Sequence, residues 1–204
     1  MFNSRDYWDN RYVRGGNSGA GSYNNLAAFK AEIINSFIIS RNVNSLIDYG
    51  VGDGNQLKLI DTENRTYTGI DVSPFIVEKC REIFKDDKTK KFILCDNIDN
   101  NLEADLVLSC DVIYHLIEDH VYEEYMTNLF KMSRKYVVIY ARNENYNHCS
   151  HVLFRKFSDW VGDNLPKWSL ISHIPNRFPQ LSIGANNSAT SPSDFYIYEK
   201  SVIT

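Results

Sequence analysis

The chain has 204 residues, 43% hydrophobic and 24% charged, with a formal net charge of -4 and a pI near 5.7. That fits one folded domain with a short appendage, large enough to bury a core, and the negative balance works against general binding to nucleic acid. No run of about 18 apolar residues offers a membrane span, and the opening MFNSRDYWDNRY lacks the apolar segment of a secretory signal.

Residues 1–23 are polar, aromatic and glycine-rich, with a short helix expected in DYWDNRY ahead of the loop RGGNSGAGSY. Leu26, Phe29, Ile33, Ile34 and Phe37 recur at helical spacing and predict a helix over Asn25–Ser40. Ser45–Tyr49 reads as a strand closed by glycine, and NQLKLID after Gly54 as a helix. TYTGID is a second strand. Ser73 and Pro74 supply a cap and a first turn for the helix SPFIVEKCREIFK, whose stripe is Ile76, Val77, Cys80 and Phe84. KKFILCD and ADLVLSCD are strands three and four, EDHVYEEYMTNLFKM a helix, and KYVVIYAR strand five. SHVLFRKFSDWVGDNL is amphipathic. WSLISHIPNRFP and DFYIYEK predict an edge pair joined by the turn-rich QLSIGANNSATSPS. The β-α alternation implies an α/β domain with a mostly parallel sheet. Cys80, Cys95, Cys110 and Cys149 form no C-x-x-C pair, so free thiols and a cytoplasmic location are expected.

The chemistry concentrates in LIDYGVGDGNQL. Gly50, Gly52 and Gly54 stand at every second position after Asp48. A tight turn from strand to helix, with a ligand against bare backbone, calls for glycines. A dinucleotide-binding loop would read G-x-G-x-x-G instead, and an ordinary turn is the other alternative. Asp48 would repel a pyrophosphate and suits a ligand with an amine and a sulfonium. Asp71 ends strand two, where an acid can accept both ribose hydroxyls; the alternative for it is a helix cap. Val72 or Ile70 would line an adenine face. Asp96 ends strand three, with Asn97 or Ile98 beside the ring, although an Asp-Asn pair also makes turns.

Asp48, Gly50, Gly52, Gly54, Asp71 and Asp96, in this order, resemble the class I S-adenosylmethionine-dependent methyltransferases. The resemblance implies a Rossmann-like, doubly wound sheet of seven strands, order 3-2-1-4-5-7-6, with strand seven antiparallel. It implies S-adenosyl-L-methionine as cofactor and S-adenosyl-L-homocysteine as product. Asp48 would then lie near the methionine amine, Asp71 on the ribose and Asp96 beside the adenine amine. Residues 1–23 become a cover segment and residues 24–204 the methyltransferase domain. In the cover, Arg14 and Arg11 are expected on the methionine carboxylate. Tyr7, Trp8, Tyr12 and Tyr23 are expected to stack on adenine or exclude water. A disordered tail is the alternative.

Beyond strand four, SCDVIYHLIED presents Asp111, Tyr114 and His115. His115 is expected to accept a proton from an acceptor hydroxyl, with Asp111 orienting it or acting as base, and Tyr114 contacting substrate. Relatives that methylate planar amines often carry an Asn/Asp-Pro-Pro-aromatic tetrad here; Cys110-Asp111-Val112-Ile113 replaces it, which favours oxygen acceptors. The strand-five exit offers Arg142, Asn143, Asn145, Tyr146, His148, His151 and Arg155, a set suited to a sugar or its phosphate. A divalent ion on Asp111, His115, His148 and His151 is weighed and no metal is assigned. More loosely, the chain resembles small methyltransferases that modify surface glycans. The expected partner is a small-molecule or glycan acceptor, with no nucleic acid and no membrane. The alternatives are an N-methyltransferase acting on an amino sugar, protein or nucleic acid, a non-catalytic cofactor-binding relative, and a dehydrogenase.

Overall fold

The chain begins with a helix laid outside the sheet and only then enters its β-α repeats. The computed structural model describes residues 2–180 and 189–201, together with the backbone but not the side chain of His148. Helix α1 covers Ser4–Val13 and is capped by Asn3, whose side-chain oxygen accepts the Asp6 N–H at 2.9 Å. A short 3-10 turn at Ala20–Ser22 leads into α2, Asn24–Ser40. Strand β1 is Ser45–Tyr49, β2 Thr66–Asp71, and α3 Pro74–Ile83. Strand β3 is Lys90–Leu94, β4 Ala104–Cys110, α4 Asp119–Lys131, and β5 Ser133–Ala141. Then come β6 Tyr146–Cys149, β7 Val152–Phe154, α5 Phe157–Asn164, β8 Trp168–Ile174 and β9 Asp194–Lys200.

Seven strands form one sheet in the order β3-β2-β1-β4-β5-β9-β8. The first five are parallel, β9 runs antiparallel to β5, and β8 runs antiparallel to β9. Counting this sheet alone restores the expected 3-2-1-4-5-7-6. The shift in numbering comes from β6 and β7, a separate antiparallel hairpin where the sequence suggested a polar loop and an amphipathic stretch. Period-two alternation splits each strand between two cores. On β4, Leu106 and Leu108 face the side of Phe29, Ile34 and Val77. Val107 faces the side of Met126, Leu129 and Phe157. Each such side chain contributes about 1.5–3 kcal/mol by leaving water.

The helix expected after Gly54 is a single 3-10 turn, Leu57–Leu59. Asn35 on α2 explains the stop: its amide donates to the Leu59 carbonyl at 2.9 Å and accepts the Asp61 N–H at 2.8 Å. Both backbone groups are thereby withdrawn from a continuing helix. The turn-rich stretch at 181–188 lies outside the described residues. No helix among the described residues is long and apolar enough to cross a membrane.

Candidate active site

The loop after β1 is shaped by its glycines. Gly50, Gly52 and Gly54 have φ of 99°, 58° and 73°, in the left-handed region that glycine alone enters freely. A Cβ on Gly50 would lie 2.4 Å from Val112, and one on Gly52 would lie 2.2 Å from the Ser18 hydroxyl. Asp48 is buried at the end of β1 and accepts the Tyr67 hydroxyl at 2.9 Å; burial pushes its carboxyl up to about 6. Asp71 is buried at the end of β2. Its two oxygens accept the N–H groups of Gly52 at 3.0 Å and Ser73 at 3.1 Å, and burial holds it at about 6 against those bonds. Asp71 therefore pins the glycine loop to β2, while Ser73 caps α3 through the Ile76 N–H. Val72 is half-buried beside them, and Asp96 and Asn97 are exposed on a 3-10 turn after β3.

The N-terminal segment crosses the carboxyl ends of three strands. From α1, the Ser4 N–H donates to Glu118 beyond β4 at 2.9 Å, and Arg5 pairs with Asp96 beyond β3. Ser73 beyond β2 donates to Asp9 at 2.5 Å. Residues 14–23 then dock on the glycine loop through Asp53. The Ser18 N–H donates to the Asp53 carboxylate at 2.9 Å, and the Asp53 N–H donates back to the Ser18 hydroxyl at 2.8 Å. The Tyr23 hydroxyl donates to the same carboxylate at 2.6 Å. These bonds outweigh burial and hold the Asp53 carboxyl below its ordinary value. Tyr23 is thus engaged with the loop itself. Arg11 donates to the Asn17 carbonyl at 2.7 Å. Arg14 caps α1 with an exposed side chain, which makes no ion pair among the described residues.

At the mouth of β4, Asp111 has a φ of 59°, unusual for a residue with a Cβ. One carboxylate oxygen accepts the Lys30 ammonium at 2.7 Å; the other accepts the hydroxyls of Tyr114 at 2.9 Å and Ser193 at 3.2 Å. Asp111 makes no hydrogen bond to His115. The imidazole is oriented by the His151 carbonyl, 3.0 Å from its Nδ1. A carbonyl only accepts, so Nδ1 carries the proton and Nε2 the lone pair. Trp8 meets the His115 ring edge-on at 4.8 Å, Tyr114 lies at 4.5 Å, and Tyr7 stacks on His151 at 5.0 Å. Burial pushes His115 down to about 4, so the ring is neutral near pH 7.

The strand-five exit uses its arginines internally. Arg142 pairs with Glu144 and lies over the rings of Tyr146 and Phe154 at 5.6 and 5.1 Å. Arg155 donates to the Leu116 and Ile117 carbonyls at 2.7 and 2.9 Å. His148 sits on β6 with its side chain outside the described part. No group of three or more metal-ligating side chains gathers among the described residues. Sequence reasoning missed Arg5, Lys30 and Asp53. Lys30 had a signal: it falls inside the apolar stripe of α2, between Phe29 and Ile33, where a lysine must be buried and paired.

Residues 46–136 match a family model described as a methyltransferase domain. No curated protein matches the chain. Among solved structures, the methyltransferase domain of bacterial CtHen1-C is 21% identical with a TM-score of 0.63, covering 87% of this chain and 100% of its own. Magnesium protoporphyrin IX methyltransferase from Synechocystis PCC 6803, with bound S-adenosylhomocysteine, is 15% identical with a TM-score of 0.65, covering 97% and 98%. The N-methyltransferase NodS from Bradyrhizobium japonicum WM9, also with S-adenosylhomocysteine, is 14% identical with a TM-score of 0.66, covering 85% of each chain. These likenesses establish the architecture, and the family match falls on the segment that holds the glycine loop and the acids at the strand ends. Over residues 46–136 the chain is similar to a methyltransferase domain, and its fold is the one these methyltransferases share.

Proposed function

We propose that the protein transfers a methyl group from S-adenosyl-L-methionine to a hydroxyl of a small polar acceptor, a sugar or nucleotide sugar, beneath a cover formed by residues 1–23. The carrying observation is one continuous arrangement. Buried Asp48 and Asp71 flank a glycine loop with no room for side chains, and a neutral His115 with its proton fixed on Nδ1 stands beyond the neighbouring strand. The cradle fits the cofactor by chemistry: two buried acids can accept from an amine and from ribose hydroxyls, and bare backbone lets a ligand approach closely. Asp96 offers an acceptor for the adenine amine once Arg5 releases or shares it. The cofactor supplies a methyl carbon made electrophilic by a sulfonium.

The protein's task is then alignment, exclusion of water and removal of one proton. The acceptor oxygen forms its bond to the methyl carbon as the bond to sulfur breaks, and the hydroxyl proton passes to Nε2 of His115. Trp8 and Tyr114 wall off water around the imidazole, and Tyr7 covers the neighbouring His151. The Ser18 hydroxyl fills the space over Gly52, so the cover lifts to admit cofactor and closes again.

Calorimetric titration with S-adenosylhomocysteine, with NAD as control, tests the cofactor. Binding to NAD alone would reject the reading. Transfer from tritium-labelled S-adenosyl-L-methionine to sugars, nucleotide sugars and amino sugars tests the acceptor. Labelling of amino sugars alone would move the reaction to nitrogen.

A further inference from the structure

Lys30 is only 1% exposed, and its one hydrogen bond among the described residues is to Asp111. Its ammonium also lies 5.2 Å from the Tyr140 ring centroid. Burial alone would lower its pKa, but Asp111 outweighs that and raises it, so the lysine stays charged. A buried ion pair is a poor device for stability, since apolar residues of the same volume serve as well or better. This pair therefore needs another explanation, and Asp111 suggests one. Its backbone is held in a sparsely populated conformation, a kind of strain that collects at functional sites. Its second oxygen already accepts two hydroxyls, Tyr114 and Ser193. Asp111 is thus a hub rather than a free base. Gly21 of the N-terminal segment passes directly above it: a Cβ there would lie 2.6 Å from the carboxylate and 3.8 Å from the lysine nitrogen.

We propose that Lys30 is a positioning residue: it holds Asp111, and through Asp111 the Tyr114 hydroxyl and ring, in one arrangement on the acceptor side of the site. This rests on the reading of the β4 mouth as that side. Lys30 reaches from α2, Asp111 and Tyr114 follow β4, and Ser193 precedes β9. One ion pair thereby sets the spacing of three elements around the bound acceptor.

The test uses the full chain with ring-labelled [13C]tyrosine, the Tyr114 resonance being assigned by Y114F. K30M is expected to keep its affinity for S-adenosylhomocysteine within about twofold while moving the Tyr114 resonance. With tritium-labelled cofactor and the labelled acceptor, its kcat should fall about tenfold or more at unchanged cofactor KM. K30M/Y114F should be no slower than Y114F, because both act through one hydroxyl. If K30M does not fold, K30M/D111N removes both charges together and should move the same resonance. A Tyr114 resonance unmoved in a folded variant, or losses that multiply in the double variant, would overturn the positioning role. Wild-type turnover in Y114F would overturn the acceptor-side reading and the proposal with it, even where the resonance moves.

Discussion

Asp71 serves the fold by pinning the glycine loop, and on the proposed reading it serves a ligand as well. Two backbone N–H groups occupy one acceptor direction on each oxygen, and a carboxylate has about four such directions. Asp71→Asn should weaken S-adenosylhomocysteine binding about tenfold or more, since a charged acceptor contributes about 1.5–3 kcal/mol. Burial holds Asp48 and Asp71 at about 6, so both gain charge between pH 5 and 7. Affinity for S-adenosylhomocysteine should rise over that interval, and calorimetry at several pH values should show the rise flattened in Asp71→Asn. His115 behaves in the opposite sense. Pushed down to about 4, it is already neutral above about pH 5.5. His115→Ala should lower kcat about 100-fold with cofactor affinity unchanged. An acid limb near pH 6.5 in the wild-type kcat profile would count against His115 as the base.

At the scale of elements, the glycine-rich segment 14–23 is a bridge between α1 and α2, pinned midway by Asp53. Ser18→Ala removes the bond from the Asp53 N–H to the Ser18 hydroxyl, and Tyr23→Phe the bond to the Asp53 carboxylate, each worth about 1 kcal/mol. Both should quicken tryptic cleavage after Arg14 and speed association of S-adenosylhomocysteine, measured by stopped flow. Cleavage unchanged in both variants would mean that Asp53 does not latch the segment. Much of this scale was legible. The stripe of α2, the Ser73-Pro74 start of α3 and the short helix in DYWDNRY all rest on local patterns, and the structure places them there. The helix after Gly54 was not legible as a single turn, because its stop is imposed by Asn35 from another element. The β6-β7 hairpin was missed because its strands have four and three residues, too short for alternation to declare itself.

For the whole molecule, the two raised carboxyls have a consequence for stability. Asp48 and Asp71 titrate near 6 in the fold, above the roughly 3.9 of an unfolded aspartate. The folded chain therefore binds more protons than the unfolded chain between those values. Their contribution is most favourable below about pH 4 and declines as pH rises through about 6, by up to about 3 kcal/mol each. Urea unfolding should show Asp48→Asn/Asp71→Asn gaining stability relative to wild type as pH rises from 4 to 7. A pH-independent difference would mean that neither carboxyl is raised in the fold. The cost of burying two ionisable acids at the strand ends fits a site whose acids serve a ligand.

The sequence by itself determined the alternation of strands and helices, the glycine loop and the acids at the strand ends. Each of these is written in local spacing: a period of two or of 3.6, a cap, or glycines that permit a turn. Only the tertiary structure decided how those residues are used. Asp96 meets Arg5, 91 positions away, and Asp111 meets Lys30, 81 positions away. Arg142 and Arg155 are spent on their own surroundings, and Ser18 closes over Gly52. Pairings of that kind follow from which elements pack side by side and how much water they exclude, and no local pattern carries either.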